Sequence, residues 1–136
     1  ARGEIGGRAG AALRAFVAGV DRWHAATLRP GDHLQLKVFW QSLAALTVDY
    51  TVFTQLLDQQ GKLVTGWDSQ PLGGYFPTSH WPANEIVTDV VQLPVPPDLP
   101  PGDYTLITGM YRLETLERLT TSDGVDQITL TTIRVE

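Results

Sequence analysis

Between His33 and Trp40 the chain alternates with a period of two. Leu34, Leu36, Val38 and Trp40 fall on one face, and His33, Gln35 and Lys37 on the other. That spacing is what a β-strand with one buried face requires. The following stretch, DYTVFTQLLDQQGKLVTGWD, predicts a hairpin that turns at Asp58-Gln59-Gln60-Gly61, with Gly61 as the permissive turn residue. Its first strand carries bulk on both faces, at Val52-Phe53 and Leu56-Leu57, which implies an interior position or a bulge. Its return strand is expected over 62–67.

The rest of the pattern repeats short strands between turn signals. Residues 11–21 fit a helical stripe (Leu13, Phe16, Val17, Val20) and also alternate (Leu13, Ala15, Val17); the all-β context makes them a first strand. A short strand over 23–28 leads to a turn at Pro30-Gly31. A long connection over 68–85 is punctuated by Pro71, Gly73, Gly74, Pro77 and Pro82. A strand over 86–93 is cut off by PVPPDLPPG, whose prolines cannot donate ladder hydrogen bonds, so that segment crosses over outside a sheet interior. Strands over 104–113 and 127–135 close the chain, separated by a polar turn region over 114–124. A phase shift between Leu130 and Ile133 predicts a bulge or a change of face. About seven to nine such strands describe an all-β, two-sheet antiparallel β-sandwich with Greek-key connections, of the immunoglobulin/fibronectin III sort. Tyr104, just inside a strand after Pro101-Gly102, looks like a tyrosine corner, its hydroxyl bonding back to the preceding loop. The plainer reading is a core tyrosine. Trp40 and Phe53 are read as structural.

Composition narrows the function classes. The chain has 136 residues, 43% hydrophobic and 18% charged, values of one folded domain with a real core. Residues 1–10, rich in Gly and Arg, are expected to be a flexible arm, with a single sandwich domain over 11–136. A net charge of -5 argues against nucleic acid, whose phosphates need a basic footprint. It also argues against a polybasic membrane-surface role. Without cysteine there is neither a disulfide nor a thiolate metal site. No run reaches the ~18 apolar residues of a membrane span, and no signal-peptide pattern is present. Because the chain begins at Ala1, it is expected to be a piece of a longer protein.

Catalytic signals are sparse. His24, His33 and His80 lack metal-ligand spacing, and Ser42, Ser69, Ser79 and Ser122 lack a nucleophile elbow. Asp58, Asp68 and Asp89 are turn or hairpin-end aspartates before they are a glycosidase pair. Asp32, Asp103 and Asp123 adjoin turn glycines without the ligand spacing that calcium sites show. Gly73-Gly74 is not a phosphate loop. No catalytic residue, metal or cofactor is therefore assigned. The binding feature is the aromatic connection: Trp67, Asp68, Tyr75, Phe76 and Trp81. Rings on a proline-stiffened loop either stack on sugar faces or anchor a partner, or roll inward and cap one end of the sandwich.

The succession LRPGDHLQLKVFWQS, DYTVFTQLLDQQGKLVTGWDSQPLGGYFPTSHWPANEIVTD and LPPGDYTLITGMYRLETLERL resembles a domain at the extracytoplasmic end of bacterial multi-spanning glycosyltransferases, the membrane family related to dolichyl-phosphate-mannose-protein mannosyltransferases. The marks are Pro30-Gly31-Asp32, Trp40, Tyr50, Phe53, Leu56, the Asp58 to Gly61 turn, Asp68, Pro71, the Tyr75 to Trp81 loop, Asp89, and Pro101-Gly102 with Tyr104. They span residues 11–136 and encode no chemistry. The resemblance implies a non-catalytic accessory domain, tethered outside the cytoplasm through the membrane-spanning portion of its parent; joined to the aromatic loop, it leads to the expectation that this loop contacts glycan, acceptor or lipid-linked sugar. The alternative is a purely structural or protein-interaction sandwich with no small-molecule ligand.

Overall fold

The computed structural model describes residues 13–20, 27–42, 45–119 and 126–136, and only the backbone of 13–20 and 27. The 1–10 arm, the start of the 23–28 segment, His24, Ser122 and Asp123 lie outside the described residues. Those described form nine strands: β1 (Leu13–Val20), β2 (Thr27–Leu28), β3 (His33–Ser42), β4 (Tyr50–Leu57), β5 (Leu63–Ser69), β6 (Ile86–Pro94), β7 (Gly102–Arg112), β8 (Glu117–Arg118) and β9 (Ile128–Val135). A small sheet runs in the order β1-β3-β6. A larger one runs β2-β9-β7-β4-β5, with β8 appended to β7. All pairings are antiparallel except the two-residue contact of β2 with β9. The fold is an all-β sandwich. Residues 13–20, readable either as helix or as strand, pair along β3.

The alternation in β3 becomes the inner face of the small sheet. Leu34, Leu36, Val38 and Trp40 are buried to within 1%, and the register puts them beside Leu93, Val91, Asp89 and Val87 of β6. Across from them the larger sheet offers Val52 and Leu56 from β4, Tyr104, Leu106 and Met110 from β7, and Ile128, Leu130, Ile133 and Val135 from β9. β3 therefore lies over the hairpin of β4 and β5, in the opposite layer. Two inward polar groups at the end of β3, Trp40 Nε1 and Ser42 Oγ, have no hydrogen-bond partner among the described residues.

The turns form for local reasons. In the hairpin, Asp58 Oδ1 accepts the N–H groups of Gln60 and Lys62 at 2.9 Å each, and Gly61 takes φ +79°. At the start of β3, Asp32 Oδ2 accepts the Arg29 N–H at 3.0 Å, with Gly31 at φ +89°. The bulk on both faces of β4 has both of its expected causes: β4 is interior to its sheet, and its pairing with β5 shifts register between Leu56 and Leu57. In β9 the phase shift is a bulge, with Thr131 opposite Leu106 and Thr129 opposite Ile107. That register steps over Leu130, one extra residue against β7.

One correction concerns β5. The sequence placed Asp68 at the start of the long connection, but the ladder pairs Thr54 with Trp67, Phe53 with Asp68 and Val52 with Ser69. The strand outlasts the hydrophobic pattern because an edge strand is held by its backbone bonds whatever its side chains. The connection proper leaves β5 at one edge of the larger sheet and enters β6 at one edge of the small sheet. It makes short 3-10 turns at Pro71–Gly74 and Thr78–His80.

Tyr104 is a tyrosine corner in geometry: its ring is 2% exposed and its hydroxyl donates to the Pro100 carbonyl at 2.6 Å. Replacing Tyr104 with Phe strands that carbonyl and is expected to cost about 1–3 kcal/mol. Chemical denaturation of Tyr104→Phe measures it, and an unchanged midpoint refutes it.

Asp89 supplies a second expectation. It faces inward opposite Val38, is buried, and accepts the Leu72 N–H at 2.9 Å, holding Leu72 at φ +53°. Burial pushes its carboxyl above the ordinary 3.8, against the opposing pull of the Leu72 and Val90 N–H groups. The folded state then binds the proton more tightly than the unfolded chain. The associated stability is complete below 3.8 and drains away as pH rises through the folded value. Asn keeps the acceptor oxygen without the charge. Asp89→Asn is thus expected to be at least as stable as the parent at neutral pH, with the fall above pH 3.8 reduced. Parallel unfolding curves at stepped pH decide it; identical slopes for the two proteins refute it.

Candidate functional site

The aromatic connection separates into packed and displayed rings. Trp81 is 3% exposed, belongs to the core, and donates its indole N–H to the Phe76 carbonyl at 2.8 Å. Phe76 packs against the same core, its ring centroid 6.4 Å from that of Trp81. These two rings cap the sandwich, the inward alternative. Tyr75 is 93% exposed. Trp67 lies on β5 rather than in the loop, opposite Thr54, and is 43% exposed. The five residues therefore do not form one wall. Trp81 offers no face to a ligand, and Asp68 projects to the far side of the larger sheet, opposite Phe53.

That far side carries the site that the sequence did not single out. Phe53 is buried to 1% yet lies outside the inter-sheet core, because its parity in β4 is opposite to that of Val52 and Leu56. It is covered on the outer face instead. The Arg118 guanidinium sits 4.3 Å above its ring, Tyr111 packs at 6.3 Å between centroids, and Gly109 is its cross-strand neighbour. β8 brings Arg118 there by pairing back on β7, Tyr111 with Arg118 and Arg112 with Glu117. Beside Phe53 opens a cleft of about 250 Å³ lined by Phe53, Gln55, Asp68, Tyr111, Leu116 and Arg118.

The cleft is polar at its walls and apolar at its floor. Tyr111 donates its hydroxyl to Asp68 Oδ2 at 2.8 Å. Partial burial, and then the Asp68 carboxylate, push the Tyr111 phenol above its ordinary 10.0, so it stays a donor at neutral pH. Arg118 Nη1 is 3.3 Å from Asp126 Oδ1. Asp68 is the only carboxylate among the lining residues. Asp58 is engaged in the hairpin turn and Asp89 lies between the sheets, so the three aspartates read from sequence do not converge as the carboxylate pair of a glycosidase would.

His33 and His80 are exposed, and no group of three or more metal-ligating side chains gathers among the described residues. Asp49 accepts the Ser79 N–H at 3.0 Å, and its carboxyl is held below 3.8 first by bonds from Ser79. This solvent-exposed contact braces the connection. No helix among the described residues is long and apolar enough to cross a membrane. Of the cleft residues, Gln55, Tyr111, Leu116 and Arg118 were missed. The available signal was Phe53 on the wrong parity together with a glycine inside the neighbouring strand, a pattern that marks close approach.

No protein-family model matches the chain, and no curated protein matches it. Solved structures do. The chain is similar to the C-terminal domain of wzt at TM-score 0.55 and 16% identity, covering 91% of this chain and 70% of that one. It is similar at TM-score 0.50 and 14% identity to a mutant β-glucosidase from Listeria innocua solved with laminaribiose, covering 91% of this chain but 16% of the enzyme. A CARDB domain from Pyrococcus furiosus matches at TM-score 0.48 and 12% identity, covering 82% of this chain and 80% of that one. At these identities the likeness to the first two shows the fold alone. None of these three is a mannosyltransferase, so the tie to membrane glycosyltransferases rests on the sequence pattern.

The close approach at Phe53 is testable. A Cβ built on Gly109 would overlap the Phe53 ring and come within 3.1 Å of the Asp126 carbonyl. Gly109→Ala is expected to cost about 1–3 kcal/mol through overpacking, and the double variant with Phe53→Leu should recover part of it. Thermal unfolding of both variants checks this; a silent Gly109→Ala would mean that the ring is not held there.

Proposed function

We propose that the chain is a non-catalytic accessory domain of a bacterial cell-envelope glycosyltransferase, held outside the cytoplasm by the membrane-spanning part of its parent, and that it contacts glycan or lipid-linked sugar. The observation that carries the sugar reading is the outer-face cleft, where carboxylate, phenol and amide groups converge beside an apolar floor. Pockets that orient a small ligand have this make-up, an apolar lining with a few placed polar groups. The sandwich fold, which in the Listeria β-glucosidase matches a minor part of a longer chain, is compatible with an appended module.

A second reading has its own observation. Among the described residues β5 pairs only with β4 and presents exposed Leu63 and Trp67 at that edge, where a strand of a partner protein would add by backbone pairing. Under this reading the domain has no sugar ligand.

A cleft of this size supplies few contacts, so affinity in isolation is expected in the millimolar range, corresponding to ~4 kcal/mol. High local concentration beside a membrane enzyme compensates for such weakness. NMR titration with a panel of oligosaccharides is expected to move amide signals of β4, β5 and β7. Tyr111→Phe, which keeps the ring and removes the hydroxyl that holds Asp68 in place, should weaken the response. Signals fixed throughout at tens of millimolar sugar would leave the edge-strand reading standing.

A further inference from the structure

We infer that the outer-face cleft selects an uncharged saccharide end, a single ring with free neighbouring hydroxyls, and rejects phosphorylated or carboxylated sugars; the inference rests on the sugar reading above. Its first support is charge. Arg118 is the one cation lining the cleft among the described residues, and it is already answered by Asp126 at 3.3 Å and spread over the Phe53 ring at 4.3 Å. Asp68 lines the same space and is paired with no cation among the described residues. An incoming phosphate or uronate would meet one more negative than positive group, on a chain whose net charge is -5. Like charges brought together out of bulk water are strongly disfavoured.

The second support is hydrogen-bonding capacity. Tyr111 occupies Asp68 Oδ2, which leaves Oδ1 to accept. The Gln55 amide has no intramolecular bond among the described residues and presents an acceptor and two donors. A sugar hydroxyl donates and accepts at once, so two adjacent hydroxyls satisfy a carboxylate oxygen and an amide together. A charge-assisted bond to the carboxylate is the stronger of the two. Third, Phe53 is 1% exposed and its ring already lies under Arg118, so it is a floor and not a stacking platform. Leu116, exposed at φ +62°, supplies the apolar wall. The volume of about 250 Å³ lies below the range of drug-sized pockets, roughly 300–1,000 Å³, and suits one ring. In this arrangement Arg118 is a positioning residue that holds the floor, while Asp68 and Gln55 touch the sugar.

The test compares small probes on the folded domain by amide-detected NMR: methyl mannoside and methyl glucoside as neutral single-ring ligands, against glucuronate as a charged ring of matched size and inorganic phosphate as the bare anion, at low and at high salt. The expected result is that the neutral sugars move the amides around Gln55, Asp68 and Tyr111 independently of salt, while the anions do not. Asp68→Ala should weaken the neutral response by about tenfold or more. Gln55→Ala, a change away from the inter-sheet core, should weaken it less and keeps the test valid if Asp68→Ala fails to fold. Preference for glucuronate or phosphate, lost at high salt, overturns the inference and leaves the sugar-contacting module intact. Shifts confined to Tyr75 and Trp67 overturn the cleft as the site. No shift with any probe overturns both this inference and the sugar reading beneath it.

Discussion

The inward row of β3 has to be kept from water, and the other elements follow from that requirement. Four large side chains in alternate positions, Leu34, Leu36, Val38 and Trp40, put their whole apolar area on one face. At roughly 25 cal/mol per Å² their burial outweighs any turn or surface ion pair in the molecule. A single sheet cannot bury such a face. The chain answers by turning at Pro30-Gly31 and at the proline segment 95–101, so that β4, β7 and β9 cross opposite β3. The tyrosine corner, the turn aspartates and the bulge in β9 adjust that packing; they do not create it.

This explains which parts of the fold were legible in the sequence. Period-two alternation is a property of one strand against one core, so β3, β6 and the hairpin of β4 and β5 could be read directly, as could turns whose Gly and Pro residues act locally. The layer to which a strand belongs depends on partners far along the chain. Hence the placement of β3 across from the hairpin, and the extension of β5 through Ser69, needed the structure. The candidate site was less legible for the same reason. Trp67, Tyr75 and Trp81 look alike as letters, yet one lies on an edge strand, one is in solvent and one is in the core. The difference is set by the ladder with β4 and by a single bond from the Trp81 indole to the Phe76 carbonyl. The cleft draws on β4, β5, β7, β8 and the turn before β8, and a constellation assembled by sheet register has no compact sequence signature.

A division of labour between the faces follows. The inner faces hold the fold, with a few polar intrusions such as Asp89 and the paired hydroxyls of Thr54 and Thr108. The outer face of the larger sheet is free of that duty, and there the chain places its unpaired acceptor, its amide and its phenol. On the proposed sugar reading, a substitution at Gln55 or Asp68 would change recognition and leave the packing between the sheets untouched, as when one scaffold carries different sites.

The cover over Phe53 has a further consequence for the life of the protein. A ring this large on the outside of a sheet stays inoffensive only while Arg118 and Tyr111 sit against it. They are positioned by a hairpin whose turn, residues 113–116, is exposed throughout. Such a turn is where a protease cuts first. A nick there would leave both halves of the sandwich core in place and yet unroof an aromatic surface beside an open strand edge. The polar flank of a well-folded domain would become an adhesive one. The cover over this ring therefore depends on a turn of four solvent-exposed residues that lie outside the core between the sheets.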